Sequence, residues 1–188
     1  MKRGKVLEYG GVIVVAIVLA LLIQAFLVKP FRIPTASMVD TLRPGDRVLV
    51  DRAVFHWRHP RRGDIVVFEY PRNRDIMFIK RVIGLPGDTL ETRAGRLYVD
   101  GRLLEEPYVH QTDGVRDPTN ASGPVAGTTM REPWSLADPY TVGKDEYFVM
   151  GDDRTRSDDS RVWGPVPAAG IIGAAFLTYW PPSRLGTL

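Results

Sequence analysis

The chain contains no cysteine, so disulfides, thiolate metal sites and a cysteine nucleophile are all excluded. That absence does not fix a compartment, because a chain of 188 residues can bury a hydrophobic core without covalent staples. Histidine is nearly as scarce, with only His56, His59 and His110. No two of them bracket a glutamate at the helical spacing of a zinc protease, and no G-x-S-x-G nucleophile elbow exists. Spacing alone leaves a Ser-His-Asp triad open, since triads assemble in space. But His56 and His59 sit in a basic, proline-bounded turn and His110 borders a loop-rich stretch, positions that read as surface or packing residues. The acidic run Asp152 to Asp159 lacks the loop glycine and terminal glutamate of an EF-hand. No metal and no cofactor are expected. A net charge of +3 with both signs mixed gives no basic stripe for nucleic acid, yet suits a domain beside anionic lipid. Internal repeats and low-complexity tracts are missing too.

One long apolar run is present. Gly10 to Val28 carries no charge, and Gln24 is its only strongly polar side chain. As a helix it would be about 28 Å long, near the thickness of a hydrocarbon core. A cleaved signal peptide has a shorter apolar stretch followed directly by a small-residue cleavage site. A buried core helix is rarely apolar on every side at a chain terminus. Length therefore favours a membrane anchor over residues 1–29. Basic residues flank both ends, so the charge rule leaves its orientation open.

Pro30 and Pro34 stop helical continuation. Beyond them no segment has a convincing helical period, and short β-branched stretches alternate with turns. Strands are expected at Arg47–Asp51, Asp64–Tyr70, Ile76–Ile83, Glu146–Met150 and Gly173–Trp180. Asp100-Gly101 inside Leu97–Leu104 predicts a tight hairpin. Thr112 to Pro139 is rich in Gly, Pro, Ser, Thr and Asp and reads as long loops. The expected fold is mainly β: an antiparallel catalytic core over 30–88 and 144–188, with a β-rich insertion over 89–143.

Three polar features stand in conspicuous places. Ser37 follows the anchor among apolar neighbours, Lys80 lies inside the apolar stretch Phe78-Ile79-Lys80-Arg81-Val82, and Gly151 to Arg161 is a dense polar turn. Each has a mundane reading taken alone: a turn serine, an outward-pointing strand lysine, a solvated loop of ion pairs.

Together they resemble the motif boxes of the type I signal peptidases. Ile33-Pro34-Thr35-Ala36-Ser37-Met38, with Thr41-Leu42 and Gly45-Asp46, is similar to the nucleophile box. Arg62-Gly63-Asp64-Ile65-Val66-Val67-Phe68 is similar to the next strand. Ile79-Lys80-Arg81-Val82-Ile83-Gly84-Leu85-Pro86-Gly87-Asp88 matches the lysine box almost letter for letter. Gly151-Asp152 through Ser157, Asp159-Ser160-Arg161, Trp163-Gly164 and Val166-Pro167 is similar to the last box. The chain departs from the pattern at Thr35, where serine is common, at Val39-Asp40, at Asp153, where asparagine is usual, and at Thr155, where an acidic residue is common.

The resemblance implies a Ser-Lys serine endopeptidase that removes signal peptides from exported preproteins after small-x-small motifs. Ser37 would be the nucleophile and Lys80 a neutral base whose pKa burial lowers. The Thr35 hydroxyl and Ser37 N–H would form the oxyanion hole, and Ser157 would orient Lys80. Arg81 would pair with Asp152 and Asp159 with Arg161. Ile33, Pro34, Met38, Leu42 and Phe78 would surround one substrate pocket; Phe31, Val48, Val67 and Ile79 would line or adjoin the other. The partners would be preproteins and the phospholipid bilayer. The place would be the bacterial inner membrane, crossed once, with the catalytic domain on the extracytoplasmic face. A self-cleaving repressor of the same superfamily, a dedicated maturation peptidase of a conjugation or secretion system, and a tethered non-catalytic β module are the competing readings.

Overall fold

The computed structural model describes residues 9–18, 27–112, 115–116, 136 and 138–188. In chain order the strands are β1 (Val28–Arg32), β2 (Arg47–Asp51), β3 (Ile65–Tyr70), β4 (Asn73–Gly84), β5 (Thr89–Arg93), β6 (Arg96–Val99) and β7 (Arg102–Leu103). There follow β8 (Gln111–Thr112), β9 (Val115–Arg116), β10 (Tyr140–Thr141), β11 (Glu146–Met150), β12 (Val166–Pro167), β13 (Ile171–Trp180) and β14 (Gly186–Thr187). A one-turn helix, Ser160–Trp163, lies between β11 and β12.

An eight-stranded sheet runs β1-β2-β13-β3-β4-β11-β12, with β14 attached to β13. Its pairings are antiparallel. The unbroken apolar run of β3 follows from burial on both faces. Ile65 and Val67 join a cluster with Ile33, Met38, Leu42, Val48, Val50 and Ala175. Val66 and Phe68 join a second cluster with Val82, Tyr147, Val149, Trp163 and Val166. A smaller sheet, β10-β5-β6-β7, packs Leu90, Leu97, Val99 and Val142 with Ile83, Phe148 and Met150 of the large one. Its β6–β7 turn is Asp100-Gly101, both at positive φ, as a two-residue hairpin requires.

Residues 9–18 are helical and their apolar side chains are exposed. Among the described residues no helix is long and apolar enough to cross a membrane. The anchor expected over 1–29 falls largely on 1–8 and 19–26, outside the described residues. Its expected end is corrected: Leu27 lies in a turn and Val28 opens β1, so no helix runs to Lys29. Pro30 is tolerated there because β1 is an edge strand, bonded to β2 alone. Most of the expected loop stretch 112–139 also lies outside the described residues.

Candidate active site

β4 places Lys80 directly opposite Val66 of β3. Strand alternation aims it to the same side as Phe78 and Val82, which belong to the second apolar cluster. Ser37 lies in the turn between β1 and β2. The turn is held by Val39 N–H donating to Ala36 O at 3.0 Å and Leu42 N–H to Met38 O at 2.7 Å. Side chains 43 positions apart thereby meet: Lys80 Nζ donates to Ser37 Oγ at 2.5 Å. Ser37 is 7% exposed and Lys80 4%. Burial pushes the Lys80 amine down from 10.5 to about 8; Asp159 pulls it back up and Arg161 pushes it further down.

The polar turn after β11 packs against this pair. Asp153 N–H donates to Ser37 O at 3.1 Å. Gly151 lies so close that a Cβ there would overlap Ser37 O and Ser157 Oγ and stand 2.6 Å from Ser157 Cβ. Ser157 is buried, and Gly151 is thus wedged between it and the serine turn. Asp159 caps the one-turn helix and its Oδ2 accepts Gly151 N–H at 3.0 Å. Arg161 grips the same carboxylate with Nε at 2.8 Å and Nη2 at 2.7 Å. Burial would raise the Asp159 pKa, but the charge and hydrogen bonds of Arg161 outweigh it and hold the carboxyl below its ordinary value.

Arg81, next along β4, faces away from Lys80. Its Nε and Nη2 donate to Asp152 at 2.9 and 2.7 Å, and Nη1 donates to Gly63 O at 2.9 Å. Thr41 Oγ1 donates to Asp152 Oδ2 at 2.5 Å, which ties the serine turn to the polar turn a second time. The unusual Asp153 and Thr155 complement each other: the Thr155 hydroxyl donates to Asp153 Oδ1 at 2.9 Å, and Arg156 Nε donates to Oδ2 at 2.7 Å.

Eight of the nine residues expected around the substrate pockets fall in or against two apolar clusters. Ile33, Met38, Leu42, Val48 and Val67 share one cluster, with Phe31 and Ile79 packed against it, while Phe78 belongs to the opposite cluster. Met38, Leu42 and Val48 have no exposed surface. Pro34 and Thr35 are exposed beside Ser37. Glu106 and Arg154 are buried too, and the sequence did not single out either; opposite charges 48 positions apart leave no pattern to read. Among the described residues no group of three His, Asp or Glu could hold a metal. His110 is engaged through Nδ1 with Asp40 Oδ2 at 3.1 Å.

A family model described as signal peptidase, peptidase S26, matches residues 6–180. A signal peptidase I of Leptolyngbya laminosa is 37% identical over 180 residues, 92% of this chain and 79% of that protein. A signal peptidase I of Pseudomonas aeruginosa is 34% identical over 220 residues, 100% of this chain and 78% of that protein. A crystal structure of a signal peptidase I from Enterococcus faecalis is 33% identical, covers 62% of this chain and 97% of that one, and gives a TM-score of 0.44.

Proposed function

The chain belongs to the signal peptidase family, peptidase S26, and on that premise we propose that Ser37 is its nucleophile and Lys80 its general base. Removal of signal peptides from preproteins is the activity that goes with membership. The observation that carries the dyad is the 2.5 Å contact from Lys80 Nζ to Ser37 Oγ. A serine hydroxyl needs a base beside it, and an amine acts as one only when neutral. Lowering Lys80 from 10.5 to about 8 raises its neutral fraction at pH 7 roughly 300-fold.

The steps follow. Neutral Lys80 takes the Ser37 proton as Oγ bonds to the scissile carbonyl carbon. The Ser37 N–H and the Thr35 hydroxyl donate to the oxyanion; such donors contribute about 3–4 kcal/mol. The Lys80 ammonium then protonates the departing nitrogen, the C–N bond breaks, and the mature protein leaves. Water, deprotonated by Lys80, attacks the ester on Ser37 and frees the signal peptide. Ser157, buried against Gly151, orients the Lys80 amine. Arg81 with Asp152 and Asp159 with Arg161 hold the turn that carries Ser157.

Small side chains are selected because the floor is filled. Met38, Leu42 and Val48 are packed tight, so a substrate side chain lying over the partly exposed Phe31 and Ile79 and the exposed Pro34 meets a filled core that leaves room only for a small group. The bilayer is the second partner. Phe176 and Trp180 of β13 and Leu185 and Leu188 on either side of β14 are exposed apolar side chains, suited to contact with lipid. The apolar run that starts at Gly10, ahead of the turn at Leu27, adds an anchor. This reading puts the catalytic domain on the extracytoplasmic face of a bacterial inner membrane. Preprotein cleavage in detergent tests the dyad: Ser37→Ala and Lys80→Ala should both abolish it, and substantial activity in Lys80→Ala would remove the lysine from the mechanism.

A further inference from the structure

Among the described residues Arg154 is the largest side chain with no exposure, and Glu106 beside it is 2% exposed. Charges this deep persist only when matched and hydrogen-bonded. Arg154 Nη1 donates to Glu106 Oε2 at 3.1 Å and Nη2 donates to Oε1. Arg154 Nε donates to Gly151 O at 3.0 Å. The Arg154 carbonyl accepts Arg161 Nη2 at 3.0 Å; Arg161 grips Asp159, and Asp159 accepts Gly151 N–H. Gly151 is therefore held at its C=O and at its N–H by two arms that both start at Arg154. Glu106 also receives the Tyr108 hydroxyl at 3.3 Å. The Tyr108 ring lies 4.1 Å from the Arg81 guanidinium, which holds Asp152. A carboxylate just after β7 thus braces the polar turn through both of its ion pairs.

We infer that Glu106 and Arg154 are a positioning pair for the catalytic dyad: the carboxylate fixes the guanidinium, the guanidinium fixes Gly151, and Gly151 sets Ser157 and the Ser37 carbonyl against Lys80. The inference rests on the Ser37–Lys80 reading. A pair that served folding alone would change how much enzyme is folded and leave each folded molecule unaltered. A positioning pair changes turnover in the folded molecule. The charged groups around Lys80 are Asp152, Asp158, Asp159 and Arg161 of the polar turn, with Arg81 next along β4. Behind them Glu106 and Arg154 balance each other. Glu106→Gln breaks that balance, leaves a cation behind the site and frees the guanidinium to turn toward Asp159.

The test uses the full chain in detergent micelles, a preprotein substrate, and pH profiles normalised to the folded fraction measured by tryptophan fluorescence. Glu106→Gln should lower kcat at least about tenfold with KM within about threefold, because misplaced groups lose rate rather than binding. The acid limb of its profile should move to lower pH. Glu106→Gln combined with Arg154→Met, which removes both charges, should return the limb to the wild-type position while kcat stays low. Wild-type kcat and an unmoved limb in folded Glu106→Gln would overturn the inference. Should that variant not fold, Glu106→Asp decides: it keeps the charge but shortens the reach, so kcat should fall about tenfold with the limb unmoved. Wild-type turnover there would overturn the pairing. A wild type with no limb near pH 8 would instead sink the dyad reading itself, so the two failures are separable.

Discussion

Gly151→Ala is the smallest change that should disable the site. A Cβ at this position would stand 2.6 Å from Ser157 Cβ and overlap Ser157 Oγ and Ser37 O. Carbon pairs settle near 3.5–4.0 Å, so the clash amounts to about 1 Å. The Ser37 carbonyl cannot step aside freely, because it is backbone and accepts Asp153 N–H at 3.1 Å. Relief must come from moving the serine turn or Ser157, the groups set around Lys80. A displacement of about 1 Å at reacting groups costs around 100-fold in rate, and overpacking of this kind costs about 1–3 kcal/mol of stability. Gly170→Ala is the control, since its Cβ would meet nothing closer than 3.9 Å. The assay is kcat and KM on a preprotein, with thermal unfolding of both variants. Gly151→Ala should lose about two orders of magnitude in kcat with a modest fall in Tm, and Gly170→Ala should match the wild type. Activity within about threefold of wild type in Gly151→Ala would refute the claim that this glycine sets the dyad.

Two further predictions concern stability. Lys80 is protonated less readily in the folded chain, at about 8 against 10.5, so the unfolded chain holds the extra proton between those values. Stability due to this group must rise with pH from about 8 to 10.5 and be flat below. Lys80→Met should remove that rise, with a gain relative to wild type of up to about 3 kcal/mol below pH 8 that shrinks above it; chemical unfolding at pH 7 and pH 10 measures both. Asp152→Asn leaves the nearly buried Arg81 guanidinium without its carboxylate and should cost about 3–5 kcal/mol, read as a fall in the denaturant midpoint.

Strand patterns and turn chemistry made much of the β architecture legible. The β-branched stretches became β2, β3, β4, β11 and β13, and Asp100-Gly101 became a hairpin turn. β1 was hidden because Val28-Lys29-Pro30-Phe31-Arg32 has neither alternation nor a free donor at Pro30; its strand character comes from pairing with β2. β5 was hidden because Thr89–Arg93 is mostly polar, and a small sheet with one dry face needs only Leu90 to point inward. The one-turn helix has no period to detect and rests on the Asp159 cap. At the site, sequence motifs singled out Ser37 and Lys80, which the fold brings into contact. The split of the pocket residues between two clusters was not legible, because it depends on which face of the sheet each side chain takes. Arg154 in a polar turn looks like a solvated charge until Glu106 is seen across from it.

The pH dependence of kcat/KM for the wild-type enzyme, measured on a preprotein in detergent from pH 6 to pH 10, tests the base most directly. If buried Lys80 must be neutral to take the Ser37 proton, kcat/KM should climb with pH and level off above a midpoint near 8, the value its burial sets. A profile flat from pH 6, or one still climbing steeply at pH 10 as an ordinary lysine would give, would contradict the account.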